Sequence, residues 1–75
     1  MIQVRIFGLL RLDSGISRLE LEGGTVGEVL SRLPGELEEK KIKRCTVLVN
    51  GKTATHRTKL NDGDEITILS PVAGG

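Results

Sequence analysis

Residues 25–33 constrain the fold most, because they carry the pattern of one amphipathic helix between segments that alternate as strands do. Thr25 and Glu28 form a T-x-x-E capping box, in which each side chain satisfies a backbone N–H group at a helix start. Apolar residues then recur at the spacing of a single helical face: Val26, Val29, Leu30 and Leu33. Pro34-Gly35 ends the pattern. Such a helix is expected to bury its apolar face against a sheet.

Two strands are predicted before this helix. Apolar residues at every second position indicate a half-buried strand at the start of the chain: Ile2, Val4 and Ile6. Leu19 and Leu21 alternate with charged residues and indicate a second strand near residues 16–22. Residues 8–15 contain several turn-forming residues and are interpreted as a connector. The two strands are therefore expected to form an antiparallel hairpin.

The second half of the chain predicts more strands. Residues 36–44 are mostly charged, with Leu37 and Ile42 as apolar anchors, and are interpreted as a short helix or loop that crosses the sheet edge. Strands are then predicted at 45–49 (a central strand), 52–54 and 65–69, the last with Ile66 and Ile68 inward. Asn50-Gly51 tolerates the positive φ angles of a type I′ turn and predicts a hairpin between the first two of these strands.

The predicted element order is β-β-α-β-β-β with one main helix. A helix that covers one face of a sheet is the simplest arrangement that buries the apolar faces of both. The fold class is therefore α+β, and the expected architecture is the β-grasp, or ubiquitin-like, fold with a mixed sheet of four to five strands. We expect residues 1–70 to form this domain and residues 71–75 to form a flexible C-terminal tail.

Composition removes several function classes. A chain of 75 residues makes one small domain, and its one Cys and one His exclude a disulfide framework and make a metal site implausible. One Phe, no Trp or Tyr and a net charge of +1 argue against nucleic-acid binding. No signal peptide and no apolar run of about 20 residues are present, so no membrane association is expected and the protein is predicted to be cytoplasmic.

The sequence closes on Ser-Pro-Val-Ala-Gly-Gly. Pro71 cannot donate to a β-ladder, so the tail is expected to leave the sheet at a defined place. Five extended residues reach roughly 17 Å, which is far enough to enter the active site of another protein. Gly74 and Gly75 have no side chains, so they can pass through a narrow channel and leave the terminal carboxylate unhindered. A frayed terminus is the alternative interpretation of the same residues.

These features resemble the MoaD/ThiS sulfur-carrier family. The similarity lies in the order of elements, in Asp-Gly-Asp-Glu at 62–65 and in Pro-Val-Ala-Gly-Gly at 71–75. The opening Met-Ile-x-Val-x-x-Phe, with Arg11 shortly after it, resembles the MoaD branch, the small subunit of molybdopterin synthase. Ser70 stands where that branch commonly has proline.

The resemblance implies a carrier rather than an enzyme. An E1-like adenylating partner would use ATP to activate Gly75, and a sulfur donor (a cysteine desulfurase or rhodanese-like protein) would convert it to a thiocarboxylate. The residues that would insert into the partner are Pro71, Val72, Ala73 and Gly74. In the MoaD branch the large synthase subunit would receive the tail. The chain itself would bind no cofactor, and Gly23-Gly24 lacks the flanking residues of a phosphate-binding loop.

A docking surface is predicted from strand periodicity. Phe7 and Leu69 lie on the outward phase of their strands, and they would meet on the exposed sheet face if those strands are neighbours. Exposed apolar patches usually mark interaction sites, and Arg11 is assigned to the same surface. The alternative is that a loop or residues 36–44 cover these side chains.

The remaining candidates have ordinary structural interpretations. Cys45 is either a nucleophile beside Arg44 or a packed strand residue, and His56 is expected to be a solvated loop residue. The basic residues within 40–44 form either a solvated helix face or a surface that steers an acidic partner.

Other functions stay open. They are sulfur delivery for thiamine or tRNA thiolation, a ubiquitin-like modifier joined to lysines through Gly75, and a plain binding module. The first two use the same activated terminus as the leading hypothesis, which is a sulfur carrier for molybdopterin synthesis.

Overall fold

Five strands and three short helices form the fold in the part of the chain that the computed structural model describes, residues 1–35, 37 and 39–70. The strands are β1 (Ile2–Phe7), β2 (Arg18–Leu21), β3 (Thr46–Val49), β4 (Lys52–Thr53) and β5 (Glu65–Leu69). The helices are α1 (Leu9–Ser14), α2 (Val26–Ser31) and α3 (Glu39–Ile42). The predicted tail at 71–75 lies outside the described residues, so its flexibility stays a prediction.

The strands form one mixed sheet in the order β2-β1-β5-β3-β4. β1 pairs with β5 in parallel, whereas the other three neighbouring pairs are antiparallel. The final strand of the chain is therefore the central strand of the sheet. This arrangement confirms the predicted α+β class and the β-grasp architecture.

The core lies on one face of the sheet, beneath α2. Its buried side chains come from β1, from β5 and from the helices and loops that cover them: Ile2, Val4, Ile6, Leu10, Val26, Val29, Leu37, Ile42, Ile66 and Ile68. Each aliphatic side chain buried in this way contributes about 1.5–3 kcal/mol of transfer free energy. The inward phase predicted for β1 and β5 is confirmed, and so are the two apolar anchors of residues 36–44.

α2 begins at the predicted capping box and ends two residues before the predicted Leu33. The Thr25 side chain accepts a hydrogen bond from the Glu28 N–H at 3.2 Å. The Glu28 carboxylate in turn accepts from the Gly24 N–H at 3.5 Å, so each side chain of the capping box bonds a backbone N–H at the helix start. A Cβ on Gly23 would lie 2.6 Å from Val29 Cγ2, so this glycine lets the chain pass close to the helix.

The prediction that residues 8–15 form a connector is wrong, because Leu9–Ser14 form α1. The buried side chain of Leu10 holds the helix on the core, and the Ser14 hydroxyl donates to the Leu10 carbonyl at 2.7 Å. Gly15, at φ +73°, ends the helix in the left-handed region, and its N–H donates to Arg11 O at 3.0 Å. Turn-forming residues therefore terminate a helix here, although β1 and β2 pair antiparallel as predicted.

β3 occupies a different place from the predicted central strand. It is fourth of the five strands, between β5 and the two-residue β4, and Val47 and Val49 are only half-buried. Asn50 and Gly51 have φ angles of +49° and +82°, which confirms the predicted turn with two positive φ angles.

Candidate functional site

The chain leaves the sheet at Ser70, which follows the central strand β5 directly. The Ser70 N–H donates to the Phe7 carbonyl at 3.1 Å, and the Ser70 hydroxyl donates to the same oxygen at 2.8 Å. The hydroxyl oxygen also accepts from the Leu10 N–H at 2.9 Å. We call Phe7, Gly8, Leu10 and Ser70 the exit rim, because Ser70 is hydrogen-bonded to Phe7 and Leu10 and lies close to Gly8.

Gly8 makes this close approach possible. Its φ of +83° and ψ of −154° lie in a region that is essentially restricted to glycine. A Cβ on Gly8 would lie 2.4 Å from Ser70 Oγ and 2.5 Å from Ser70 O. The sequence indicated only a connector at this position, because the contact with residue 70 is not local.

An apolar patch lies beside the exit rim on the sheet face opposite α2. Phe7 and Leu69 are direct neighbours in the parallel β1–β5 register, as predicted. Leu69 is 37% exposed and Phe7 is half-buried. Leu48 of β3 lies on the same face, because its register partner is Thr67 while Leu69 pairs with Thr46. We call Phe7, Leu48 and Leu69 the open-face patch.

Leu48 was missed by the sequence analysis. The run at 45–49 has no polar alternation after Thr46, so its pattern does not separate an inward from an outward phase. Only the pairing of β3 with β5 places Val47 inward and Leu48 outward. Leu37 and Ile42 pack in the core on the α2 side, so these two anchors do not cover the patch.

Charged residues border the open-face patch. The Arg5 guanidinium lies 5.3 Å from the centroid of the Phe7 ring, within the range of a cation–π contact. Arg5 also forms a diagonal ion pair with Glu65 across the β1–β5 ladder, with a nitrogen–oxygen distance of 4.0 Å. Both side chains of this ion pair are about two-fifths exposed, so it contributes at most about 1 kcal/mol.

α1 adds further exposed apolar surface. Leu9 and Leu12 are 38% and 77% exposed, and α1 starts directly after Gly8 of the exit rim. Arg11, which the sequence assigned to the docking surface, is exposed on α1 rather than on the strands that carry the patch. The docking roles of Phe7, Arg11 and Leu69 stay predictions.

Cys45 and His56 belong to a different region, on the α2 side. Both line a cavity of about 500 Å³ together with apolar residues such as Leu30 and Val47. Burial raises the pKa of the Cys45 thiol, and its Sγ lies 3.2 Å from the Lys41 carbonyl oxygen. A raised pKa disfavours the thiolate, so packing is the better interpretation of this residue. His56 is exposed, and its carbonyl accepts from the Gly27 N–H at 3.0 Å.

The Asp-Gly-Asp-Glu segment at 62–65 has a structural role, because its hydrogen bonds connect two parts of the sheet. The Asp64 carboxylate accepts from the Asn61 N–H at 2.8 Å and from Asn50 Nδ2 at 3.0 Å, and these bonds, the first above all, lower the pKa of Asp64. Asn50 Oδ1 in turn accepts from the Glu65 N–H at 3.0 Å. The segment therefore ties the β3–β4 turn to the start of β5, at the strand end farthest from Ser70.

Residues 1–35, 37 and 39–70 contain no group of three or more His, Cys, Asp or Glu side chains that could hold a metal ion. None of the helices described is long and apolar enough to cross a membrane.

Comparison with known proteins agrees with this geometry. The model of the ThiS family matches residues 4–75. Small archaeal modifier protein 3 from Haloferax volcanii is 36% identical over 67 residues, covering 72% of this chain and 73% of that protein.

Solved structures show the same fold over nearly the whole chain. The crystal structure of SAMP1 from Haloferax volcanii has a TM-score of 0.81 and 29% identity, and the match covers 99% of this chain and 98% of that one. A chain in the complex of subunits 1 and 2 of molybdopterin-converting factor from Helicobacter pylori has a TM-score of 0.70 and 26% identity, covering 99% and 97% of the two chains. The relative with 36% identity is named a modifier protein, and the Helicobacter pylori chain belongs to a complex of two different subunits.

Proposed function

This chain belongs to the ThiS family, and on that premise we propose that it carries sulfur as a thiocarboxylate on Gly75. The observation that carries the proposal is the exit rim, which attaches Ser70 to β1 and α1 at the end of the central strand. A tail that starts from a rigid point beside an apolar patch can be presented to the active site of a partner. The domain then serves as a carrier, and the catalysis belongs to the partners.

The chemistry requires only the carboxylate of Gly75 from this chain. An oxygen of that carboxylate attacks the α-phosphorus of ATP bound to an E1-like adenylating enzyme, so that pyrophosphate leaves and an acyl-adenylate forms. A persulfide on a cysteine desulfurase or a rhodanese-like protein then attacks the acyl carbon, so that AMP leaves and an acyl disulfide forms between Gly75 and the donor. A thiol then attacks the donor's sulfur atom in that S–S bond, which releases the thiocarboxylate on Gly75 and leaves a disulfide on the donor. The carboxylate is ionised at neutral pH and is therefore ready for the first step.

Molybdopterin synthesis is the proposed destination of the sulfur. In this proposal the chain is the small subunit of molybdopterin synthase, and the large subunit receives the tail. The fold-wide similarity to the chain from the Helicobacter pylori complex supports this choice. The N-terminal Met-Ile-x-Val-x-x-Phe pattern, whose Phe7 contributes to both the exit rim and the open-face patch, also supports it.

Protein modification is the second candidate. The 36% identity to small archaeal modifier protein 3 and the structural match to SAMP1 favour it. The same acyl-adenylate of Gly75 would then react with the amine of a lysine, which releases AMP and leaves an isopeptide bond.

Intact-mass spectrometry of the chain purified from its own cells tests both candidates. A species heavier by the replacement of one oxygen with sulfur, localised to the C-terminal peptide, is expected for the carrier. Covalent adducts in which the C-terminal glycine is joined to lysines of other proteins identify the modifier. If all of the chain carries a free carboxylate while its activating enzyme is expressed and active, both candidates are wrong.

Phe7→Asp is expected to weaken binding to the large synthase subunit by about 30-fold, because a central apolar contact contributes about 2 kcal/mol to an interface. The new carboxylate would have to be desolvated against an apolar partner surface. Calorimetric titration measures the affinity, and thermal unfolding checks the fold. Gln3→Asp is the control, because it adds a carboxylate to the same strand and face but outside the open-face patch. Equal affinities for the two variants would remove Phe7 from the docking surface.

A further inference from the structure

We propose that the Ser70 hydroxyl is a positioning residue that sets the direction in which the tail leaves the domain. This inference rests on the proposed function, because it concerns the rate at which a partner can use Gly75. The hydroxyl joins three parts of the fold. Ser70 directly follows β5, and its hydroxyl donates to the end of β1 and accepts from the first turn of α1.

The Leu10 N–H shows why this hydroxyl matters locally. The first N–H groups of a helix have no partner within the helix and need a cap. Gly8 stands at the N-cap position of α1 and provides no side-chain hydrogen bond. Ser70 provides the missing acceptor from a position 60 residues away in the sequence, and the bond is partly buried. The start of the tail and the start of α1 are thereby held as one unit.

A substitution can remove the hydrogen bonds of the Ser70 hydroxyl while keeping the hydrogen bond of its backbone N–H. The Ser70 N–H bond to the Phe7 carbonyl stays possible in Ser70→Ala, so the strand end keeps one attachment. The variant loses the 2.8 Å bond to Phe7 O and leaves the Leu10 N–H without its 2.9 Å acceptor. The remaining single bond allows residue 70 to rotate about the strand axis, whereas two side-chain bonds fix it.

A flexible tail whose base is fixed starts each approach to the partner from one direction, whereas a base that rotates spreads the tail over many directions. A smaller fraction of docked complexes then holds the terminal carboxylate in attacking geometry, and loss of that geometry can reduce a rate by about 100-fold. Docking through the open-face patch does not depend on this direction. Loss of the hydroxyl is therefore expected to reduce kcat and to leave KM for the carrier nearly unchanged.

The test is ATP–pyrophosphate exchange catalysed by the E1-like adenylating enzyme of the same cell, with the full chain as substrate. For Ser70→Ala we expect kcat to fall by at least about 10-fold, with KM within about twofold of wild type. Ser70→Thr keeps the hydroxyl and is expected to restore kcat to within about threefold of wild type. Ser31→Ala is the matched control, because it removes an exposed serine bond to the Glu28 carbonyl far from the exit rim.

The outcomes separate the inference from the proposed function. If the wild-type chain supports no exchange, the proposed function fails, and the inference fails with it. If the wild-type chain is active and Ser70→Ala has the same kcat, or Ser70→Thr is as slow as Ser70→Ala, the inference alone is overturned. Hydrogen exchange of the Leu10 amide gives an independent readout, since it should accelerate in Ser70→Ala but not in Ser31→Ala. An unchanged rate at Leu10 would also overturn the inference.

Discussion

Deletion of Gly75 is expected to reduce adenylation and sulfur transfer to the background rate without changing thermal stability. The deletion leaves a carboxylate on Gly74, but the tail is one residue shorter and its extended reach falls by about 3.5 Å. A deficit of that size keeps the carboxylate out of attacking distance of a bound nucleotide. The core of the described residues lies between Ile2 and Ile68, so the deletion removes none of its side chains.

ATP–pyrophosphate exchange and the mass of the C-terminal peptide measure the effect of this deletion. Gly75→Ala is the matched control, because it keeps the length of the chain and places a carboxylate at the original position. We expect this control to retain part of the activity, since one methyl group must be accommodated beside the reacting carboxylate. Sulfur transfer that persists after the deletion would show that the thiocarboxylate does not form on Gly75.

Gly8→Ala is expected to have the largest effect on stability. The backbone of Gly8 lies in a region that costs other residues about 1–3 kcal/mol, and the added Cβ would meet Ser70 Oγ at 2.4 Å and Ser70 O at 2.5 Å. Since strain and overlap add, we expect a loss of about 3 kcal/mol or more. For a domain of this size that corresponds to a fall of roughly 12–24 °C in the melting temperature, measured by circular dichroism.

Gly15→Ala separates the two causes of that loss. Gly15 also has a positive φ, of +73°, but a Cβ there would meet no atom within 4 Å. Backbone strain alone then costs about 1–2 kcal/mol, so the loss of stability in this control should be smaller than in Gly8→Ala. Equal losses in the two variants would show that the contact between Gly8 and Ser70 does not matter for stability.

The sequence was informative where one face of an element is buried. The alternation in β1 and β5 predicts which side chains point inward, because a slip of one residue would expose the buried isoleucines of both strands. It therefore also predicts that Phe7 and Leu69 meet on the outward face. The capping box and the Asn50-Gly51 turn were also readable, since their chemistry is complete within a few residues.

The features that the sequence did not reveal depend on distant partners. Residues 8–15 predict a connector because several of them form turns, and these turn-forming residues end α1. The burial of Leu10 explains why a helix forms there. The role of Ser70 follows from hydrogen bonds that span 60 and 63 residues. No local pattern indicates such bonds, so the sequence predicted the tail but not the hydrogen bonds of Ser70 at its start.

The central position of β5 has a consequence for biosynthesis. β5 is the last of the described strands to be translated, yet it pairs with both β1 and β3, so the sheet cannot close until residue 69 has been added. Contacts between distant segments of this kind also slow folding, because loop-closure entropy is lost before they form. A ribosome product truncated before β5 therefore has no completed sheet, and it lacks both Leu69 of the open-face patch and Ser70 of the exit rim. The order of the strands thus restricts both features to chains that have been synthesised through residue 70.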